Sequence, residues 1–164
     1  MTGKLPPIEK LYEAYSAIAD GRVSLREGEA EVVSSDGSKA YKVVWQGNTY
    51  SSGDNATYWQ GYPGYPILAV LMLQGKLPMN PEIAGCFRGI NWRCLNAKHR
   101  ADYASAAAEV FQKQIPEAKA EAIRETVRQA YEELKKLELT VKRGKRAQSF
   151  SSRSLAAEEE GCSR

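Results

Sequence analysis

The stretch CFRGINWRCLNAKHR, residues 86–100, places Arg88, Arg93, Lys98 and Arg100 in fifteen residues without one carboxylate, and interleaves Phe87 and Trp92. Guanidinium and ammonium groups neutralise phosphates, and aromatic rings stack on bases, so this composition suits nucleic acid. The competing reading is a solvated basic face with Phe87 and Trp92 in the core, since charged side chains stay exposed whatever their task. A second basic run, Lys142, Arg143, Lys145 and Arg146, surrounds Gly144 near the C-terminal end. It adds affinity for an anionic partner or simply solubilises that end. Between residues 50 and 65 lie Tyr50, Tyr58, Trp59, Tyr62 and Tyr65 with a single charge, Asp54. Tyr58, Trp59, Tyr62 and Tyr65 form an aromatic loop that either packs inward or presents a binding surface.

Other chemistry is poorly represented. Cys86, Cys94 and His99 are separated by eight and five residues, which matches no common zinc-ligand pair, and a fourth ligand is missing. His99 is the only histidine, and between Lys98 and Arg100 it reads as a surface side chain rather than a catalytic base. The chain contains no glycine-rich phosphate loop, nucleophile elbow or His-Glu metal motif, so a non-enzymatic binding module without a cofactor is expected.

These residues must be held by elements that hydrophobic spacing and turn chemistry predict. Ile8, Leu11, Tyr12, Tyr15 and Ile18 recur at helical spacing between Pro6-Pro7 and Gly21, which predicts a helix over 8–20. EAEVV and KAYKVVWQ flank SSDG, a turn sequence, and read as a hairpin; Gly47-Asn48 leads to a short third strand at Thr49–Ser51. Pro66 opens a helix through Ile67, Leu68, Val70 and Leu71 that stops at Gly75. Residues 78–95 read as a loop with short helical turns. Asn96 is the expected cap of a helix from Ala97 to Gln114, and Pro116 precedes another from Glu117 to about Leu139. In that last helix Ile123, Val127, Ala130, Leu134 and Leu137 alternate by four and three. Such a seam either docks on its own domain or joins two copies over 117–139.

At 164 residues and 43% hydrophobic content, the chain can bury one substantial core. The reading is an α+β fold: a small antiparallel sheet, hairpin plus short strand, packed with helices and followed by a helical C-terminal region. Residues 1–78 form the α+β unit, 79–139 a loop and helical extension, and 140–164 a disordered basic tail. The formal net charge is +3 and is unevenly placed. Residues 86–115 carry five basic and two acidic groups, and residues 140–164 six and three, which points to an anionic partner. The seven-residue ILAVLML run is too short for a membrane span. The polar start and three sparse cysteines suggest an intracellular protein, whether cytoplasmic, nucleoid or nuclear.

The order of helix, hairpin, short strand, loop and ILAVL helix resembles the SWIM zinc-finger family, in which Cys-x-Cys, a variable loop and Cys-x-His lead into such a helix. Over residues 8–78 the register puts Tyr50 and Ser52 at the first ligand pair and Gly64 and Pro66 at the second. None of the four suits zinc, so the resemblance implies a degenerate member without metal. Packing by Tyr50 and the loop aromatics would then replace the metal clip. It also implies a role in DNA transactions, with DNA favoured over RNA as partner, through Arg88, Trp92, Arg93, Lys98 and Arg100 assisted by Lys142, Arg143, Lys145 and Arg146. The alternative is a protein-interaction adaptor that uses the aromatic loop or the 117–139 helix, with a protein partner or a second copy.

Overall fold

Helix α1 (Lys10–Ala19) occupies the span that its hydrophobic spacing predicts. In the computed structural model, which describes residues 3–149, every residue from Lys10 to Ala17 is buried. Other helices pack around α1 on several sides, so even its polar positions, Lys10 and Glu13, lie inside. Helix α2 (Tyr65–Leu73) begins with Pro66 in its first turn, where the missing N–H costs nothing, and buries Ile67 through Met72 without a break. A helix apolar on all sides must sit at the centre of a fold. Each of its Ile, Leu and Val side chains contributes about 1.5–3 kcal/mol of burial.

Against these helices lies a six-stranded sheet. Strands β1 (Val23–Leu25), β2 (Glu29–Val33), β3 (Lys39–Gln46) and β4 (Thr49–Ser52) run antiparallel in chain order. Period-two alternation turns Tyr41 and Val43 into the core and Lys42 and Val44 outward. Short helices α3 (Pro81–Gly85) and α4 (Trp92–Lys98) follow α2, then α5 (Tyr103–Gln114) and α6 (Glu117–Lys136).

The fold is α+β, as expected, and departs from the expectation in three details. The segment expected to be a disordered tail from 140 contributes two strands: β5 (Thr140–Arg143) lies parallel to β4, with Tyr50 opposite Val141 and Ser52 opposite Arg143. Strand β6 (Gln148–Ser149) pairs with Lys39 and Ala40 of β3. The sheet is therefore mixed rather than antiparallel. Polar composition hid these strands because they bind through backbone groups at an edge and bury little side chain. Residues 150–164 lie outside the described residues.

The single helix expected from Ala97 is instead two, because Arg100 and Ala101 adopt φ of 53° and 63°. The true cap of α5 is Asp102, whose carboxylate accepts from the Ser105 N–H at 3.1 Å and its hydroxyl at 2.8 Å. One core cluster runs from Leu11 to Leu139, so residues 79–139 pack on the unit formed by 1–78. Of the two readings of the α6 seam, the structure shows docking on the chain's own core: Ile123, Val127, Ala130 and Leu134 are at most 1% exposed.

Candidate nucleic-acid interface

After Arg143 the chain turns across the end of β4. The Gly144 N–H donates to the Ser52 carbonyl at 2.9 Å, and the Lys145 carbonyl passes directly over Gly53. A Cβ on Gly53 would lie 1.6 Å from that oxygen, so only glycine permits the crossing. The crossing brings Arg143 and Arg146 over the aromatic loop. Residues Ala56–Gln60 form one π-helical turn that sets Tyr58 against Trp59, edge to face with centroids 4.8 Å apart. The Arg143 and Arg146 guanidinium carbons each lie 4.8 Å from the Tyr58 centroid, and 5.9 and 5.5 Å from that of Trp59. Such contacts orient a guanidinium without neutralising it.

Trp59 remains 63% exposed. Lys142, Arg143, Lys145 and Arg146 are exposed, and none pairs with a carboxylate among the described residues. Partial burial, and then the neighbouring Arg93 and Arg146, hold the Lys39 ammonium below its ordinary value. Two groups that the sequence keeps more than eighty residues apart thus form one surface of free cations around an open indole.

The 86–100 segment is arranged otherwise. Trp92 is 3% exposed, its indole N–H donating to Ser16 Oγ at 2.7 Å, and Phe87 is fully buried. Neither ring is available for stacking, which corrects the placement of Trp92 at the interface. Arg93 donates to Asp36 Oδ2 at 3.0 Å and to Ser38, tying α4 to the β2–β3 turn. Arg88 donates to the Ala19 carbonyl at the end of α1. Lys98 pairs with Glu109 at 2.8 Å. Arg100 alone keeps an exposed head with no partner among the described residues.

Glu109 also accepts from Lys113 at 3.1 Å and meets His99 Nε2 at 3.0 Å. The Lys98 hydrogen bond, then those of Lys113 and His99, hold its carboxyl down at about 2. A lowered carboxylate stabilises the fold above its unfolded value and loses that contribution as pH falls through the folded one. The E109Q variant is therefore expected to be less stable than the parent near neutral pH, by about 1 kcal/mol at this partly exposed site. The gap should close as pH drops from about 4.5 toward about 2, as read from urea midpoints across that range. A gap independent of pH would show that the pairs contribute nothing.

The inner half of the aromatic loop is structural. Tyr62 is 6% exposed, and the half-buried Tyr65 packs edge-on against Tyr41, with centroids 6.2 Å apart. Of the positions aligned with metal ligands, Ser52 and Gly64 do converge, on a buried carboxylate. Asp54 accepts from the Ser52 hydroxyl through Oδ1 and from the Thr57 N–H through Oδ2 at 3.1 Å. The Thr57 hydroxyl in turn accepts from the Gly64 N–H at 3.0 Å. A Cβ on Gly64 would stand 2.0 Å from Asp54 Oδ2. Tyr50 is fully buried; its hydroxyl donates to Gln74 at 2.6 Å and accepts from Lys76 at 2.8 Å. The clip between strand, loop and helix is thus made mainly of hydrogen bonds, where aromatic packing was expected. Among the described residues no three His, Cys, Asp or Glu side chains group to hold a metal ion, and no helix is long and apolar enough to cross a membrane.

Sequence reasoning noted Asp54 only as the single charge among the aromatics and did not single out Lys39. It also missed the buried pair Lys10 and Glu13, with Nζ and Oε2 3.1 Å apart. The one signal for that pair was two charges falling on the apolar stripe of a strongly periodic helix.

Residues 3–140 match the family described as Uncharacterised conserved protein UCP014422, and the chain belongs to it. No curated protein and no solved structure matches the chain.

Proposed function

We propose that this protein binds single-stranded nucleic acid, with DNA the expected partner in view of the SWIM resemblance, through Tyr58, Trp59, Lys142, Arg143, Lys145 and Arg146. The observation that carries this reading is the pairing of unneutralised cations with an exposed indole. A strand laid along β5 meets phosphate-neutralising groups, while Trp59 offers a face on which any base stacks, at about 1–3 kcal/mol per base. Arg100 and Arg88 extend the positive surface elsewhere. Arg93 and Lys98 are already matched by carboxylates, and so contribute less than their charges suggest. The adaptor reading has lost the α6 seam, which the core occupies, and keeps only the exposed part of the aromatic loop.

The test is fluorescence anisotropy of labelled single- and double-stranded DNA and single-stranded RNA, titrated with the full chain at several salt concentrations. Single strands should bind more tightly than duplex, and log K should fall with log salt by about 0.7 for each phosphate neutralised. Affinity that is absent for every strand, or indifferent to salt, would overturn the assignment.

A further inference from the structure

Beneath Trp59 a cavity of about 300 Å³ opens between α1, α4, the start of α5 and the aromatic loop. Trp59 belongs both to its rim and to the cationic surface, so a base leaving a bound strand has somewhere to go. Tyr62 and Tyr103 supply aromatic wall, and the polar lining includes Lys10, Glu13 and Asn96 beside Arg22, Asp54 and Arg93. Lys10 Nζ stands 4.0 Å from the Tyr103 ring centroid and 3.1 Å from Glu13 Oε2. The Asn96 amide donates to Glu13 Oε1 at 3.3 Å, while its own oxygen is buried and accepts no hydrogen bond. Burial pushes the Glu13 carboxyl up, against the pull of Lys10. A buried ion pair contributes little to stability, and an unpartnered buried acceptor detracts from it. The cavity is therefore better matched to a bound polar ring than to a merely structural role.

We propose that this cavity takes a single guanine base. Guanine carries two adjacent donors, N1–H and the N2 amino group, beside the O6 acceptor. Glu13 and the Asn96 oxygen supply two acceptors, each carboxylate oxygen retaining a free lone pair, and the Lys10 ammonium supplies a donor. Tyr103, Tyr62 and Trp59 cover the ring. Adenine offers one donor on that edge and leaves a buried acceptor unmet, which lowers affinity by roughly tenfold or more. The base could arrive from a strand held at the surface above, so this inference rests on that reading for its natural source, or as a free nucleotide; the recognition chemistry is the same.

The experiment uses the full chain and thymidine oligonucleotides carrying one central guanine, adenine or abasic site, alongside guanosine and adenosine monophosphates followed by tryptophan fluorescence. The expected result is that the guanine strand binds about tenfold tighter than the adenine strand, with the abasic strand weakest. The E13Q variant should lose that preference while keeping its affinity for the abasic strand. Because a change at buried Glu13 can unfold the protein, W59A provides a second, surface variant that should weaken all three strands, since thymine stacks on Trp59 too, and the guanine strand most. Equal binding of the three strands would overturn the guanine pocket and leave the single-strand reading standing. Binding of guanosine monophosphate, preferred over adenosine monophosphate, without any strand would keep the pocket, identify the free nucleotide as its source and overturn the strand reading. Binding of neither would overturn both.

Discussion

Alanine in place of Asp54 is expected to lower the stability of the protein by on the order of 3 kcal/mol, because it leaves the buried Ser52 hydroxyl and Thr57 N–H without their acceptor. For a domain of this size that is a fall in Tm of about 6–12 °C. The carboxylate joins the end of β4, the π-helical turn and the start of α2, so its loss should be felt across all three. The G64A variant attacks the same centre from outside by pressing a methyl group on Asp54 Oδ2, and should be destabilised comparably. D54N, which keeps a carbonyl acceptor, should fall between the parent and D54A. Thermal melts followed by circular dichroism decide the matter. A D54A midpoint within about 1 °C of the parent would mean that the cluster is not what clips loop to sheet.

The second large effect concerns the surface. Removing Arg143 and Arg146 together is expected to make the salt dependence of single-strand binding shallower by about 1.4, two phosphates at about 0.7 each, and to weaken binding about 25-fold near 0.1 M salt. Both side chains are exposed and touch Tyr58 and Trp59 without any carboxylate partner among the described residues, so the melting temperature should move by only a few degrees. K98A is the informative comparison. Its ammonium is already held by Glu109, and its removal should leave the slope where it was. If K98A and the double arginine variant behaved alike, the interface would be a diffuse charge effect with no preferred face.

How much of this was legible from sequence varies with the kind of interaction. Helix α1, the β2–β3 hairpin, β4 and α2 were readable because hydrophobic period, Pro66 and the SSDG turn each constrain a few neighbouring residues. The α4–α5 break was not, since Arg100 and Ala101 take a left-handed backbone without glycine to announce it. Strand β5 was missed because parallel pairing to β4 needs only backbone groups, and Thr140-Val141-Lys142-Arg143 carries no apolar alternation. Among the candidate residues, type alone could not separate Arg93, locked to Asp36, from Arg143, open to solvent. Only the fold assigns carboxylates to some cations and leaves others without. Trp92 and Trp59 show the same limit, one hydrogen-bonded to Ser16 in the core and the other left on the surface.

The crossing over Gly53 also dictates an order of assembly. As the chain emerges from a ribosome, helices α1–α6 and strands β1–β4 are available before Thr140, yet the outer edge of β4 and the Lys39–Ala40 end of β3 still lack partners. A nascent chain therefore presents unpaired peptide groups to its neighbours until β5 and β6 arrive. The same closing step places Arg143 and Arg146 over Tyr58. The proposed binding surface and protection from edge-to-edge association are thus completed together, once residues 140–149 have been made, and a chain cut at residue 139 would forfeit both.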